Sequence, residues 1–402
     1  MKYVVILGDG MADTKVPELG NKTPLQVANK KNIDFLAQNG MLGMVKTVPD
    51  GIAPGSDPAN LSVMGYNPKV YYTGRSPLEA VSMGIEMSET DVAVRCNLVN
   101  LSDESEYENK TMVDYSSDEI TTKESRELMK AVQDALGTDL VTFYGGISYR
   151  HCMIWKNGPL GFNCTPPHDI TNKKVTEYLP KGEAGAFLLD LMKRSVKILE
   201  DHPVNKVRVA RGLRPANSIW LWGEGKKPSL SSFEEKYGIK GAVISAVDLI
   251  KGIGICAGLK SIDVEGATGT VTSNFKGKTD AAIDVLKNGC DFVYIHMEAP
   301  DECGHRHEVD NKVKSIELID EKVVGPIISA LKEMGDYSIM VLPDHPTPLE
   351  TRTHSREPVP FIIYRSTEAA PNSSKGYTEE EASKTGIYIA DGHTLMDKFL
   401  QK

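Results

Sequence analysis

Three apolar runs along the chain are rich in β-branched residues, and each ends at acidic or histidine residues. They are residues 3–7 (YVVIL), 291–297 (DFVYIHM) and 338–343 (SIMVLP). Runs of this length predict strands that are buried on both faces of a parallel sheet. Ligands bind beyond the carboxyl ends of strands in open α/β sheets, so these three strands are expected to deliver polar side chains to one edge.

Four segments between and after these runs have the apolar spacing of an amphipathic helix. The third contains Pro326, which should kink or split the helix because proline has no N–H group. Thr279 can cap the second, and Thr378 with Glu381 forms a capping-box pattern in the fourth. The predicted helices span residues 32–40, 279–289, 310–335 and 377–386.

The middle of the chain differs from its flanks, because it carries polar, turn-rich stretches and four shorter strand-like pieces. The strongest patterns of a strand followed by acidic residues lie outside it. The simplest interpretation is one α/β domain built from residues 1–85 and 238–402, with a smaller α+β domain of residues 86–237 inserted. The four pieces are residues 91–101, 141–145, 152–155 and 218–222.

Charge and cysteine content exclude several classes of protein. The 402 residues include 46 Lys plus Arg and 55 Asp plus Glu, which gives a formal net charge of −9. This balance disfavours global binding to nucleic acid or anionic lipid, but it allows a local basic pocket for a small anion. No uncharged stretch is long enough for a membrane span, and the six cysteines form no CxxC pair. We therefore expect a cytoplasmic protein with reduced thiols.

Histidine and aspartate concentrate in the last third of the chain. Five of the nine histidines lie between residues 296 and 354, together with Asp301 and the adjacent pair Asp344 and His345. Asp and His side chains suit Mn²⁺, Mg²⁺ or Zn²⁺, and two-metal sites catalyse phosphoryl transfer. Each residue taken singly could be a surface or capping group. The whole set, with Asp9 from the first strand, favours a metal site.

Ser56 is the candidate nucleophile. It follows Pro-Gly and precedes a helix that is expected to begin at Pro58 or Ala59. Helix N-termini stabilise anions, so a serine there could attack phosphorus. The alternative is a plain N-cap serine, which is the usual meaning of this local pattern.

Residues 252–257 (GIGICA) fit a loose dinucleotide-binding fingerprint. The acidic residue that should follow on a second strand is not evident. A glycine-rich loop near a phosphate is the favoured interpretation of this segment.

Seven motifs spread along almost the whole chain resemble those of one family. The chain is similar to cofactor-independent phosphoglycerate mutases of the archaeal type, within the alkaline phosphatase superfamily. The resemblance implies an alkaline-phosphatase-like α/β core with a mostly parallel sheet, helices on both of its faces, and an inserted α+β cap. The motifs are residues 8–13 (GDGMAD), 54–66 (PGSDPANLSVMGY), 71–80 (YYTGRSPLEA), 264–269 (VEGATG), 298–305 (EAPDECGH), 342–348 (LPDHPTP) and 352–361 (RTHSREPVPF).

The resemblance also implies roles for individual residues. Ser56 would become phosphoserine, and Lys251 matches a lysine that contacts the phosphate in the broader mutase family. His393 is a nearby alternative to His354 as a ligand. The implied ligands are Asp9, Ser56, Asp344 and His345 for one metal, and Asp301, His305 and His354 for the other.

The inserted domain should hold the sugar-acid part of the substrate. Arginine pairs bidentately with carboxylate or phosphate, and residues 149–151 (YRH) and 166–169 (PPHD) resemble cap motifs of the subfamily. A solvated basic face is the alternative, above all for residues 208–214. The candidates are Arg95, Arg150, His151, His168, Asp169, Arg208, Arg211 and Arg214.

The implied activity is the interconversion of 3-phosphoglycerate and 2-phosphoglycerate in glycolysis and gluconeogenesis, through phosphoserine at Ser56. It would need two divalent ions, Mn²⁺ first with Mg²⁺, Zn²⁺ or Co²⁺ as alternatives, and no 2,3-bisphosphoglycerate. The substrate would be a small phosphorylated sugar acid, with no nucleic acid or membrane as partner. Bacterial members of the subfamily have also been labelled homoserine kinases, so a kinase-like transferase is an alternative, as is a phosphatase or another phosphomutase. A GxxxxGK[ST] loop for a nucleotide donor is missing from the sequence.

Overall fold

In this computed structural model, which describes residues 1–162 and 164–401, the chain divides into two units. The larger unit combines Met1–Tyr72 with Ser229–Lys402, and the smaller unit is Thr73–Pro228. The strands of the described residues are β1 (Lys2–Gly8), β2 (Met41–Val45), β3 (Val92–Leu101), β4 (Met112–Asp114), β5 (Val141–Ile147), β6 (Arg150–Trp155), β7 (Ser218–Lys226), β8 (Gly241–Ile244), β9 (Lys260–Ile262), β10 (Phe292–Met297), β11 (Tyr337–Leu342), β12 (Val359–Arg365) and β13 (Tyr388–Ile389).

Helices precede, connect and follow these strands. The α-helices of the described residues are α1 (Pro24–Val27), α2 (Lys31–Asn39), α3 (Ser56–Val63), α4 (Pro68–Tyr71), α5 (Ser76–Ser82), α6 (Thr122–Leu136), α7 (Gly182–Leu199), α8 (Pro203–Ala210), α9 (Phe233–Tyr237), α10 (Asp248–Cys256), α11 (Phe275–Lys287), α12 (Ala299–Arg306), α13 (Val309–Ile319), α14 (Gly325–Met334), α15 (Glu379–Lys384) and α16 (Leu395–Leu400). Across the described residues, no helix combines the length and apolar character needed to cross a membrane.

A mostly parallel sheet forms the centre of the larger unit. Among the described residues its strand order is β13-β2-β12-β11-β1-β10-β8-β9, and only β12 runs antiparallel to its neighbours. Strand β1 lies between β10 and β11, with Leu7 opposite both His296 and Leu342. The three strands that the sequence predicts therefore lie side by side and end at the same edge.

Helices cover both faces of this sheet. Val4 and Ile6 of β1 face a core to which α2, α11, α13 and α14 contribute. Tyr3 points to the opposite face, where its ring meets Phe399 of α16 edge-on with 5.7 Å between centroids. Phe292 of β10 stacks there on Phe233 of α9. The predicted fold class, an α/β core with a mostly parallel sheet, is confirmed.

The third predicted helix is interrupted where the sequence expects it. Helices α13 and α14 are joined by a π-helical segment, Asp320–Val324, and Pro326 stands at the second position of α14. Proline cannot donate to the carbonyl four residues earlier, that of Lys322. Thr279 Oγ1 donates to this oxygen instead, at 2.9 Å.

Thr279 therefore lies inside a helix and not at its start. Helix α11 begins at Phe275, four residues earlier than expected, because the side chain of Asn274 accepts a hydrogen bond from the N–H of Gly277. At the fourth predicted helix, Thr378 does cap α15 by accepting from the N–H of Glu381. Asparagine and threonine are both common caps, so residue type alone does not choose between neighbouring starts.

The smaller unit is an antiparallel sheet packed against helices. Strand β3 pairs with β4, β6 and β7, and β5 pairs with β6. Its core joins one face of β3 to apolar side chains of α6 and α7. The predicted α+β character of the inserted segment is confirmed.

The boundaries of the two units differ from the expected ones after residues 85 and 237. Helix α5 packs against β3 and β7, so it belongs to the smaller unit. Helix α9 places Phe233 on Phe292, with 4.4 Å between ring centroids, so it belongs to the larger unit. Both helices are short and amphipathic, and their sequences do not show which sheet they will cover.

Candidate metal centre and active site

Asp9, Asp344 and His345 follow the central strands of the larger unit and meet at one buried point. His345 Nε2 lies 3.6 Å from Asp9 Oδ1 and 3.4 Å from Asp344 Oδ2. Its other ring nitrogen is 3.3 Å from the carbonyl oxygen of Pro346, which can only accept. Nδ1 therefore carries the proton in the neutral ring, and the Nε2 lone pair faces the carboxylates.

Ser56 joins this group from the first position of helix α3. Its Oγ lies 3.2 Å from His345 Nε2 and 3.5 Å from Asp9 Oδ2. The helix starts at Ser56, earlier than the expected Pro58 or Ala59. Proline is tolerated in the first turn because the N–H groups there have no partner within the helix.

Asn60 fixes the position of Ser56 relative to Asp344. Its amide nitrogen donates to the Ser56 carbonyl oxygen and to Asp344 Oδ2, both at 2.8 Å, and its amide oxygen accepts from Tyr294 at 2.6 Å. The residue is fully buried. Sequence reasoning missed this role, although a polar amide one helical turn after Ser56 was a signal available in the sequence.

Asp301, His305 and His354 form a second group. His305 Nε2 lies 3.2 Å from Asp301 Oδ2, and His354 Nε2 lies 3.4 Å from Asp301 Oδ1. The two imidazole Nε2 atoms are 2.9 Å apart, while His305 Nδ1 lies 2.9 Å from the carbonyl oxygen of Arg352. Two nitrogen lone pairs at this separation repel each other unless a shared proton or a cation lies between them.

The protonation tendencies of the two groups reflect their different partners. The hydrogen bond that His305 donates to Asp301 raises the pKa of His305 to about 9. Burial acts to raise the pKa of Asp301, but its hydrogen bonds with His305 and His354 hold that pKa well below its ordinary value. Burial lowers the pKa of His345, so this ring is neutral. A divalent cation could take the place of the proton on His305.

Asp9 shows most directly that the residues fit a cation. Burial and the charges of Asp344 and Asp301 raise the pKa of Asp9 well above its ordinary value. Its Oδ1 is buried and has no hydrogen-bond partner among the described residues. A bound divalent ion would relieve both the repulsion and the lost solvation. Groups within 4.8 Å that could hold a metal are Asp301 with His305 and His354, Asp9 with His296 and Asp344, and Asp9 with Asp301 and His345.

A buried ion pair links two loops that carry candidate ligands. Lys312 Nζ lies 2.7 Å from Asp13 Oδ2, with both side chains fully buried, and donates to the Thr347 carbonyl oxygen at 2.8 Å. Asp13 also accepts from the N–H of Leu349. Thr347 in turn donates to Asp301. The loop after β1 and the loop after β11 are thus held together beneath the site.

His296 is a site residue that sequence reasoning missed. It is fully buried near the end of β10, and its Nε2 lies 3.0 Å from Asp9 Oδ2. Burial lowers the pKa of His296 to about 3. A histidine within the buried strand pattern of residues 291–297 was the available signal, since a buried imidazole needs polar partners.

Lys251 lies on helix α10 and is held by acidic neighbours. Its Nζ lies 2.7 Å from Asp263 and 3.8 Å from Asp248. Residues 252–256 are helical and Ala257 caps the helix, so the expected glycine-rich loop near a phosphate is wrong. Gly254 allows the helix to lie on β8, because a Cβ atom there would overlap the side chain of Val243.

Two of the candidates in the smaller unit lie on one face of its sheet. Arg95 pairs with Glu79 and stacks over Trp222, 4.6 Å from the ring centroid. His168 meets the same Trp222 ring edge-on, with 5.5 Å between centroids. Arg150 lies beside the ring of Tyr149 and is exposed.

The remaining candidates of the smaller unit have other surroundings. His151 is buried, pairs in register with the core residue Cys96 and accepts from the N–H of Gly146 at 2.9 Å, so alternation along β6 turns it away from Arg150. Burial lowers the pKa of His151 to about 3. Asp169 is exposed 3.6 Å from His168. Acidic residues pair with the three arginines, Glu124 with Arg208 and Arg211, and Asp114 and Asp118 with Arg214.

His393 lies apart from both ligand groups. It lines a small cavity of about 90 Å³ together with Lys46, Lys69 and Asp391. None of the metal-capable groups found among the described residues includes it. The structure brings His354, and not His393, to Asp301.

Known proteins resemble this chain over its whole length. A family model described as 2,3-bisphosphoglycerate-independent phosphoglycerate mutase matches residues 37–205. A probable 2,3-bisphosphoglycerate-independent phosphoglycerate mutase of Geobacter sulfurreducens is 50% identical over 402 residues, covering 100% of both chains. The 2,3-bisphosphoglycerate-independent phosphoglycerate mutase of Methanosarcina barkeri is 48% identical, covering 98% of both.

Solved structures show the same architecture. A cofactor-independent phosphoglycerate mutase from Thermoplasma acidophilum superposes with a TM-score of 0.70 at 26% identity, covering 100% of this chain and 99% of that one. A protein from Pyrococcus horikoshii superposes with a TM-score of 0.83 at 28% identity, covering 100% and 97%.

Proposed function

The chain belongs to the 2,3-bisphosphoglycerate-independent phosphoglycerate mutase family, and on this premise we propose that Ser56 carries the phosphoryl group during the reaction. As a member, it is an isomerase that interconverts 3-phosphoglycerate and 2-phosphoglycerate. The observation that carries the proposal is the position of Ser56 Oγ, 3.2 Å from His345 Nε2 and 3.5 Å from Asp9 Oδ2. A serine that served only as a helix cap would have no need of these neighbours.

The two groups of metal-capable residues would each hold one divalent ion. Mn²⁺ is the first candidate, with Mg²⁺, Zn²⁺ and Co²⁺ as alternatives, since carboxylate and imidazole suit all four. Such ions would supply charge stabilisation for phosphate oxygens and lower the pKa of a nearby hydroxyl. The proposed holders are Asp9, Ser56, Asp344 and His345 for one ion, and Asp301, His305 and His354 for the other.

The proposed reaction transfers the phosphoryl group in two steps, first to Ser56 and then to the 2-hydroxyl of glycerate. Ser56 Oγ forms a bond to phosphorus while the bond from phosphorus to the 3-oxygen of glycerate breaks, and the serine proton passes overall to that oxygen. The 2-hydroxyl of glycerate then attacks phosphoserine and returns a proton to Ser56. Helix α3 begins at Ser56, so the positive end of its dipole would stabilise the charge on the phosphoryl group.

Asn60 and His345 orient the nucleophile in this scheme. The Asn60 amide ties the Ser56 carbonyl oxygen to Asp344, which fixes the first turn of α3 beside the carboxylates. Holding the reacting atom within a few tenths of an ångström of its working position is a large part of what an active site supplies.

The smaller unit is proposed to recognise the glycerate part of the substrate. Arg150 is exposed, whereas the guanidinium of Arg95 is engaged by Glu79. Arg150 and His168 are therefore the stronger candidates for the carboxylate, and the acid-paired Arg211 and Arg214 the weaker ones. His151 and Asp169 are left without a direct role. Lys251 is kept as a proposed phosphate contact, one that would have to exchange Asp263 for the substrate.

Phosphate esters of this kind do not cross membranes unaided, so a cytoplasmic location and a place in glycolysis and gluconeogenesis are part of the proposal.

The first experiment incubates the purified protein with Mn²⁺ and 3-phosphoglycerate, without bisphosphoglycerate or nucleotide, and follows EDTA-quenched samples by ³¹P NMR. Growth of 2-phosphoglycerate without inorganic phosphate is the expected result. Inorganic phosphate alone would indicate a phosphatase, and an unchanged spectrum would favour a kinase-like transferase.

Replacement of Ser56 tests the covalent step. Ser56→Ala should lower kcat by at least about 10³-fold, since loss of a nucleophile removes the chemical route itself. Ser62→Ala is the matched control, because Ser62 lies on the same helix and its Oγ has no partner among the described residues. It should retain wild-type activity, and near-normal turnover by Ser56→Ala would disprove the phosphoserine scheme.

A further inference from the structure

Each ring nitrogen of His296 has a polar partner, and both partners are buried. Nε2 is 3.0 Å from Asp9 Oδ2, and Nδ1 is 3.2 Å from Ser245 Oγ. Both His296 and Ser245 are buried. The carbonyl oxygen of His296 accepts a hydrogen bond from Lys278 Nζ at 2.9 Å, which fixes the backbone that carries the ring.

The direction of each hydrogen bond follows from the Asp9 carboxylate at Nε2, because an ionised carboxylate oxygen can only accept. The N–H of Val247 donates to Ser245 Oγ at 2.9 Å. The hydroxyl proton of Ser245 remains available, and His296 Nδ1 is the acceptor within reach. A neutral imidazole that accepts at Nδ1 carries its proton at Nε2, so Nε2 donates to Asp9 Oδ2.

This arrangement treats the two oxygens of Asp9 differently. Oδ2 accepts from His296, while Oδ1 is buried without a partner among the described residues and lies 3.6 Å from His345 Nε2. We propose that Ser245 and His296 form a positioning relay that occupies Asp9 Oδ2 and thereby reserves Oδ1 for a divalent ion. The inference rests on the proposed metal site, and it assigns His296 a supporting role outside the ligand set.

The opposing hypothesis is that His296 itself binds the ion, since it lies within 4.8 Å of ligand atoms of Asp9 and Asp344. To do so it would have to give up the Nε2 proton and its contact with Asp9. Hydrogen bonding of a ligating carboxylate by a buried residue is a common way to orient it, and loss of such a partner costs ~10–100-fold in metal affinity.

The tautomer of His296 distinguishes the two roles directly. Two-bond ¹⁵N–¹H correlation spectra of the full-length wild-type protein are recorded without metal and with saturating Mg²⁺, which is diamagnetic. The relay predicts that Nε2 keeps its proton in both spectra. Loss of that proton on addition of Mg²⁺ would make His296 a ligand and overturn the inference, whatever the mutase activity of the protein.

Variants test the relay by its effect on metal binding. Ser245→Ala removes the hydroxyl that fixes the tautomer and should weaken Mn²⁺ binding, measured by calorimetry, ~10-fold or more. His296→Leu should weaken it ~10–100-fold, whereas His296→Gln, whose amide can still donate to Asp9, should recover most of the loss. Circular dichroism verifies that each variant is folded.

His202→Gln provides the control, because this histidine belongs to the smaller unit and caps α8. It should bind Mn²⁺ as the wild type does. Unchanged affinity in Ser245→Ala, or equal losses in His296→Gln and His296→Leu, would refute the relay. If the wild type binds Mn²⁺ and shows the expected tautomer but makes no 2-phosphoglycerate, the relay stands and the proposed mutase chemistry fails.

Discussion

His305 and His345 lie in the two neighbouring groups of candidate ligands but hold protons to different degrees. Burial keeps the His345 ring neutral by lowering its pKa, whereas the hydrogen bond that His305 donates to Asp301 raises the pKa of His305 to about 9. Protonated His305 therefore stabilises the metal-free protein. This stabilisation is fully present below about pH 6.5 and is lost as the pH rises through about 9.

Metal binding should consequently be favoured by raising the pH, because a ligand histidine must first lose its proton. We expect the apparent Mn²⁺ affinity to rise between pH 6.5 and pH 9, as measured by calorimetry in one series of buffers at constant ionic strength. His305→Gln should bind more weakly and with a flatter pH dependence. An affinity that did not change across this range would contradict the assignment of His305 as a ligand.

The Lys312–Asp13 pair is the second feature to be tested at the level of residues. Lys312→Met leaves the Asp13 carboxylate buried without its cation, which should lower the free energy of unfolding by about 3–5 kcal/mol. Urea denaturation in excess EDTA measures the change without interference from bound metal. Adding Asp13→Asn to this variant should recover part of the loss, and strict additivity of the two changes would show that the pair is not coupled.

The residues that sequence reasoning found and missed differ in a physical way. Asp9, Asp301 and Asp344 follow long apolar runs, so their place at the strand ends could be predicted from the pattern. Asn60 and His296 lie within a helix and a strand, and their roles depend on which side chains the fold brings opposite them. That information is absent from local periodicity.

At the scale of elements, the break between α13 and α14 follows from the N–H group that Pro326 lacks, and a side chain of another helix compensates for it. Pro326 leaves the Lys322 carbonyl oxygen without its helical partner, and Thr279 Oγ1 on α11 replaces it at 2.9 Å. The π-helical segment also presents Asp320, whose carboxylate accepts from the N–H of Ile33 at 2.7 Å. Proline predicted the break, but the partner helices could not be read from the sequence.

Thr279→Val should lower the free energy of unfolding by about 0.5–1.5 kcal/mol, because the Lys322 carbonyl oxygen loses the donor that Thr279 supplies. The informative control is the same change combined with Pro326→Ala, which restores an N–H group to the helix. Chemical denaturation of the four proteins in this cycle should give a smaller effect of Thr279→Val in the alanine background. Equal effects in both backgrounds would mean that Thr279 does not compensate for the proline.

For the whole molecule, the smaller unit is a continuous piece of chain with its own core. Its ends are adjacent, since Thr73 Oγ1 donates to the Lys226 carbonyl oxygen at 2.5 Å. Unit boundaries could be predicted only to within a helix, because short segments such as α5 and α9 could cover either sheet. The order of strands in the central sheet depends on pairings between distant parts of the chain, which local patterns do not contain.

A fragment of residues 73–228 should fold by itself. We expect cooperative thermal unfolding by circular dichroism and a dispersed amide NMR spectrum, since the core of β3, α6 and α7 lies entirely within the fragment. The complementary protein, with residues 73–228 replaced by a short Gly/Ser linker, should still bind Mn²⁺ but should lack mutase activity. A molten, non-cooperative fragment would show that the unit depends on the rest of the chain.

The position of β1 in the central sheet has a consequence for folding during synthesis on the ribosome. Tyr3 pairs with Phe292 on one side and Ser338 on the other, so β1 waits for partner strands that are synthesised far behind it along the chain. At elongation rates of about 5–20 residues per second, this delay is roughly 15 to 60 s. During that interval the smaller unit can complete its fold, while an apolar strand with two unsatisfied edges stays open to chaperones or to other nascent chains.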